Sequence, residues 1–155
     1  MKKASLFVAV VVCVFTSLDL VAQENFTLGP VSRIVLIRIR PGHNSEFWAD
    51  VRQNLKPTFE EYKKQGIITD YMFFTKSTTE NPTDWTVGYG LTYKNWAALD
   101  DLAQRTDPIT LKHYGSAQAR TEAGRKRVEH GELVSSFLIR NVDPRPMPGA
   151  TTPRP

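Results

Sequence analysis

Two periods take turns along this chain. From Ser32 to Arg40 it reads Ser-Arg-Ile-Val-Leu-Ile-Arg-Ile-Arg, dense in β-branched residues and closed by Pro41-Gly42, which predicts a first strand. Val35, Ile37 and Ile39 share one face of it, Ile34 and Leu36 the other. Phe47, Trp48, Val51, Leu55, Phe59 and Tyr62 then recur at helical spacing, predicting one helix from Ser45 to Gln65, capped by Asn44 or Ser45 and stopped by Gly66. Pro57 lies inside that pattern and lacks the amide that would bond Gln53, so a kink or a split is expected there.

Ile68 to Lys76 predicts a second strand, with Tyr71 and Phe73 on one face and Ile68, Met72 and Phe74 on the other. A polar loop with the turn signal Asn81-Pro82 follows. Trp85, Val87, Tyr89, Leu91 and Tyr93 then alternate with Thr86, Gly88, Gly90 and Thr92, a period-2 pattern that predicts a third strand. Asn95 caps a short helix from Trp96 to Gln104, and Asp107-Pro108 opens another, poor in large apolar groups, running to about Glu129. Gly131 stops it, and Leu133 to Val142 supplies a fourth strand.

The order β-α-β-β-α-(α)-β with right-handed crossovers gives an α+β, ferredoxin-like two-layer sandwich, one four-stranded antiparallel sheet in spatial order 4-1-3-2 with its helices on one face. Helices cover one face of such a sheet, yet the first two strands carry large apolar side chains on both. At roughly 25 cal/mol per Å² of apolar surface, a wet second face forgoes several kcal/mol. A second copy of the chain, meeting that face with its own, is the expected cover.

The ends narrow the folding unit. Lys2 and Lys3, the apolar run Ala4 to Thr16, and Leu20-Val21-Ala22 read as a signal peptide over 1–22, too short for the ~20 residues of a retained membrane anchor, so the protein is expected to be exported, periplasmic or secreted. The sole cysteine, Cys13, lies in that run, so the processed chain is expected to hold no thiol or disulfide. Residues 23–30 form a lead, 31–142 the domain, and 143–155 a proline-rich tail expected to be disordered. Of 20 basic and 16 acidic side chains, removing Lys2, Lys3 and Asp19 leaves 18 and 15. The basic cluster Lys112, Arg120, Arg125, Lys126 and Arg127 has only Tyr114 near it, so it reads as a solvated helix face and no nucleic-acid partner is expected.

Arg38-Ile39-Arg40-Pro41-Gly42-His43-Asn44-Ser45-Glu46-Phe47-Trp48 and Leu91-Thr92-Tyr93-Lys94-Asn95-Trp96-Ala97-Ala98-Leu99 resemble a strand, Pro-Gly turn and helix entry, and a third strand entering a capped helix, of the dimeric α+β barrel superfamily. The likeness spans about Val31 to Val142. It implies two ferredoxin-like protomers joining their sheets. Members of that superfamily include cofactor-independent monooxygenases, small isomerases, haem-dependent enzymes and proteins with no assigned activity, and a shared fold does not choose among them.

Candidate chemistry is sparse. His113, beside Tyr114 on the third helix, has the chemistry of a general base or a haem ligand, though most such histidines sit on a half-exposed helix face. His43 and His130 read as turn and helix-end residues, and with His113 they lack metal-site spacing, so no metal or cofactor is expected. Glu60 with Glu61, and Asp100 with Asp101, are adjacent and diverge, a poor geometry for paired carboxylates. Gly88 and Gly90, with Thr86 and Thr92, suggest a hollow on one sheet face. Trp85, Tyr89 and Tyr93 on the other face, with Tyr114, are the candidate lining of an apolar ligand pocket, or else core. The first expectation is a homodimer binding a small apolar molecule. The alternatives are a cofactor-independent monooxygenase or isomerase using Tyr71, Tyr89 or His113 for proton transfer, and a structural or interaction module.

Overall fold

A computed structural model describes residues 26–78 and 81–144. Two compact units divide the chain, Pro30–Asn141 on the one hand and Met1–Gly29 with Val142–Pro155 on the other. In the smaller unit Thr27 Oγ1 donates to the Asp143 carbonyl at 3.4 Å. The larger unit carries the core and the site.

Strand β1 is Phe26–Ile39, α1 is Asn44–Asp50, a π turn covers Val51–Leu55, and α2 is Lys56–Lys64. Then come β2, Asp70–Thr75, β3, Val87–Tyr93, and a 3₁₀ turn at Trp96–Leu99. Helix α3 is Leu102–Tyr114, α4 is Ala117–His130, and β4 is Gly131–Pro144. The sheet order is β2-β3-β1-β4, the ferredoxin-like arrangement expected from the element order. β3 runs antiparallel to both neighbours, with Val35 opposite Tyr89 and Phe73 opposite Tyr89.

β1 and β4 reach further than expected, while β2 and β3 are shorter, starting at Asp70 and Val87 instead of Ile68 and Trp85. β1 begins at Phe26, inside residues 23–30 where a lead is expected, and Pro30 is tolerated in it because pairing with β3 starts only at Val31. β4 continues through Asp143 and Pro144, into the stretch taken as tail. The signal-peptide reading of 1–22 and the rest of the tail lie outside the described residues.

The helix is split just before Pro57, as its missing amide implied, by the π turn Val51–Leu55. The Lys56 amide bonds back to the Val51 carbonyl, five residues earlier, so the helix widens by one residue just before the ring that would collide with Gln53. The helices after β3 also depart from the expected pattern. Trp96–Leu99 is one 3₁₀ turn whose Ala98 amide donates to Asn95 Oδ1 at 3.1 Å, and Pro108 lies inside α3 instead of opening it. The real break is Gly115, at φ 80, followed by Ser116, whose Oγ accepts from the Ala119 amide at 3.0 Å.

Phe47, Val51, Leu55, Phe59 and Tyr62 descend from α1 to α2 and bury themselves against Val35 and Ile37 of β1 and Val87, Leu91 and Tyr93 of β3. That fixes which sheet face meets the helices. On the opposite face the glycines make room and leave no hollow. A methyl on Gly88 would stand 2.5 Å from the Phe74 ring and 2.8 Å from the Val35 carbonyl, and one on Gly90 3.2 Å from Met72 Cε and 3.3 Å from Ile34 Cδ1. Phe74, Met72 and Ile34 fill the space.

Candidate functional site

The helix-facing side of β1 runs Val31, Arg33, Val35, Ile37, so a guanidinium interrupts an apolar row. Arg33 stands opposite Leu91 in the β1–β3 ladder. Together with Tyr89, Tyr93, Phe59, Tyr62, Leu102 and others it lines a cavity of about 240 Å³ between the sheet and the helices. A neighbouring cavity of about 230 Å³ shares Phe59 and Tyr62 and adds Thr58, Tyr114, Arg120 and Arg127. The two form a cleft of four tyrosines and three arginines.

Burial keeps the hydroxyls of Tyr62, Tyr89 and Tyr93 protonated through the neutral range. Burial pushes Tyr62 up to about 12, the neighbouring Thr106 hydroxyl offsetting part of it. Burial also raises Tyr89, against the pull of the Arg127 and Arg33 charges, and raises Tyr93 against Arg33. These phenols serve as hydrogen-bond partners at neutral pH and do not offer phenolate bases.

Arg127 is held from behind. Its Nε and Nη2 donate to Asp50 at 2.6 and 3.3 Å, and Nη2 also donates to the Tyr114 hydroxyl at 3.1 Å. Burial works against its charge, but Asp50 and Tyr114 prevail and raise its pKa. The sequence reading placed this arginine on a solvated basic face; it turns inward instead. Asn54, in the widened turn before Pro57, donates from Nδ2 to Asp50 at 2.8 Å and accepts from His113 Nε2 at 3.0 Å. A polar chain thus runs from His113 through Asn54 and Asp50 to Arg127 and Tyr114.

Of the residues offered as lining an apolar pocket, Tyr89 and Tyr93 line the first cavity and Tyr114 the second. The other candidates fall elsewhere. Tyr71 packs on Phe59 and Phe73, but its hydroxyl donates outward to Glu60, and burial with that bond raises it to about 12. His113 lines a separate groove of about 400 Å³ with Pro57, Glu61, Pro108 and Lys112. Trp85 precedes β3 and packs edge-on against Phe74, whose ring lies over Gly88 on the far face of the sheet, so it does not join Tyr89 and Tyr93. Arg33 has no role in the sequence reading, Arg127 is read there as solvated, and Tyr62 only as part of the apolar column of the helix. The signal available for Arg33 was a charge at an inward position of an otherwise apolar row.

Two further features stand beside the cleft. Thr58 Oγ1 is buried, lines both the inner cavity and the His113 groove, and has no hydrogen-bond partner among the described residues. His43 and His130 stack with ring centroids 5.4 Å apart, and His130 Nδ1 is likewise buried without a partner among the described residues. The described residues contain no group of three or more His, Cys, Asp or Glu able to hold a metal ion.

Strand order, register and cleft together define a ferredoxin-like α+β domain with an aromatic, arginine-bearing space between its layers. No family model and no curated protein matches the sequence. Among solved structures the chain is similar to HapK from Hahella chejuensis, with 11% identity over 81% of this chain and 99% of that one and a TM-score of 0.46. It is also similar to a dimeric protein of unknown function and ferredoxin-like fold from Bacteroides fragilis, with 18% identity over 75% of this chain and 97% of that one and a TM-score of 0.40. A dimeric ferredoxin-like protein from an uncultured marine organism shares 5% identity over 81% of this chain and 95% of that one, with a TM-score of 0.43.

Proposed function

We propose that this protein is an exported homodimer that binds a small, largely apolar molecule in the cleft between its sheet and helices. The observation that carries the binding reading is the pair of adjoining cavities walled by Phe59, Tyr62, Tyr89, Tyr93 and Tyr114. Aromatic walls with a few polar tips suit a ligand with an apolar body and one or two orienting groups. Binding is favoured over proton-transfer catalysis because the described residues lining the two cavities include no carboxylate and no imidazole, and burial holds the Tyr62, Tyr89 and Tyr93 phenols in the protonated form.

Thermal denaturation of the purified protein against a panel of small aromatic molecules tests the reading. Binding to the folded state alone raises the melting temperature by an amount that grows with the logarithm of ligand concentration above Kd. Leu91→Trp, which fills the cavity floor, is expected to remove the rise while leaving the fold intact by circular dichroism. A panel without any stabilising member, or stabilisation that persists in Leu91→Trp, rejects the cleft as the binding site.

A further inference from the structure

The arginines of the larger unit differ in what neutralises them. Arg127 is paired with Asp50, Arg120 with Asp107, Arg38 with Glu132 and Arg125 with Glu122. The Arg33 guanidinium makes no ion pair and no hydrogen bond to a described residue, and the residue sits half-buried on an otherwise apolar face, between the buried Val31 and Val35. The rest of its cavity is Phe59, Tyr62, Tyr89, Tyr93 and aliphatic side chains, with the tyrosine hydroxyls and Thr106 as its further polar groups and no carboxylate. A guanidinium in such surroundings has lost part of its water and gained no counter-charge, a cost that a native interior meets with a partner.

Resting on the small-molecule reading above, we infer that Arg33 is the anion-recognising group of this cavity, and that its ligand is a small aromatic carboxylic acid. The guanidinium presents two parallel N–H groups that match the two oxygens of a carboxylate. The ring of the acid then lies against Phe59, Tyr89, Leu91 and Tyr93, where aromatic contacts add to the apolar burial. A volume of about 240 Å³ falls below the ~300–1,000 Å³ of pockets for drug-sized ligands, which limits the acid to one ring with short substituents. Arg127 does not compete for the same anion, because Asp50 already occupies its fork.

The test compares benzoate with benzamide, a neutral molecule of nearly the same shape, by isothermal titration calorimetry on the full processed protein. Benzoate is expected to bind at least about tenfold more tightly than benzamide, the share of affinity a charge-assisted bond contributes. Arg33→Gln is expected to abolish that preference and Arg33→Lys to keep part of it, since the charge stays and the fork is lost. Equal binding of the two probes to the wild-type protein overturns the inference and leaves the small-molecule reading standing. The wild-type comparison needs no variant, so it decides even if Arg33→Gln fails to fold. Benzoate binding that survives Leu91→Trp places the anion outside the cavity and also overturns it. Failure of both probes, while other neutral aromatics stabilise the protein, overturns the acid specificity alone; failure of every probe overturns both readings.

Discussion

Arg127 of α4 grips Asp50 of α1 through Nε at 2.6 Å and Nη2 at 3.3 Å, across 77 positions of sequence. α4 has no buried residue of its own, so this contact is a principal tie between it and the first helix. Asp50→Ala leaves a partly buried guanidinium beside Tyr114 alone and frees Asn54 from its partner. A loss of about 2–3 kcal/mol is expected, the range for hydrogen bonds to charged groups. Asp50→Asn, which keeps an acceptor, is expected to lose about half as much. Urea unfolding at one fixed protein concentration measures both, and the double mutant with Arg127→Ala should fall well short of additivity if the pair acts as one unit.

Gly88 and Gly90 look alike in sequence and differ in what surrounds them. A methyl at 88 meets a backbone carbonyl 2.8 Å away as well as the Phe74 ring, and the carbonyl cannot step aside without disturbing the β1–β3 ladder. A methyl at 90 meets the flexible ends of Met72 and Ile34 at 3.2 to 3.3 Å. Gly88→Ala is therefore expected to lose about 1–3 kcal/mol or more and Gly90→Ala less than about 1 kcal/mol. Adding Phe74→Leu to Gly88→Ala should restore little, because the carbonyl contact remains. A full restoration would show that the ring was the sole obstacle.

Alkali should loosen this fold before it loosens an ordinary one. Tyr62 titrates at about 12 in the folded protein, against about 10 for an unperturbed tyrosine. Between those values the unfolded chain has released the proton and the folded one has kept it. Stability is thus fully present below about pH 10 and falls as pH climbs toward about 12. The urea midpoint is expected to hold level to about pH 9 and then drop, with a shallower drop in Tyr62→Phe. An unchanged slope in that variant would assign the effect to Tyr71, Tyr89 and Tyr93, which burial raises as well.

The sheet and its first helix were legible because their periods are local: the β3 alternation and the Phe47-to-Tyr62 column can be counted along the chain. The arginines were not. Whether Arg127 faces water or the interior depends on Asp50, far away in sequence, and nothing within α4 distinguishes it from Lys126 beside it. Trp85 was misplaced because alternation was extended two residues too far. At Thr86 the ladder becomes irregular, the Ile39 amide donating to Thr86 Oγ1 at 2.9 Å in place of a backbone carbonyl, so the residue before it need not keep the face of Tyr89. Pro108 does not mark the helix boundary, because it lies within α3; the left-handed Gly115 followed by the capping Ser116 does.

The last prediction concerns the face that the helices leave open. Glu132 pairs with Arg38 on the glycine side of the sheet, so alternation along β4 puts Val134 and Leu138 on that side, with Met72 and Phe74 of β2. Met72 is 51% exposed, Val134 40% and Leu138 38%, an apolar surface that one copy of the described chain does not cover. If a second copy covers it, the same patch meets itself about a twofold axis, and one substitution alters both halves of the contact. Leu138→Lys is then expected to weaken association by about a hundredfold or more, two unpaired charges being buried in each dimer. Leu111→Lys, an equal change of charge on the helix layer, should leave association untouched. Sedimentation at micromolar concentration reads both. A wild-type protein that sediments as a single copy throughout that range, or a Leu138→Lys variant that associates as well as wild type, removes this face as the contact.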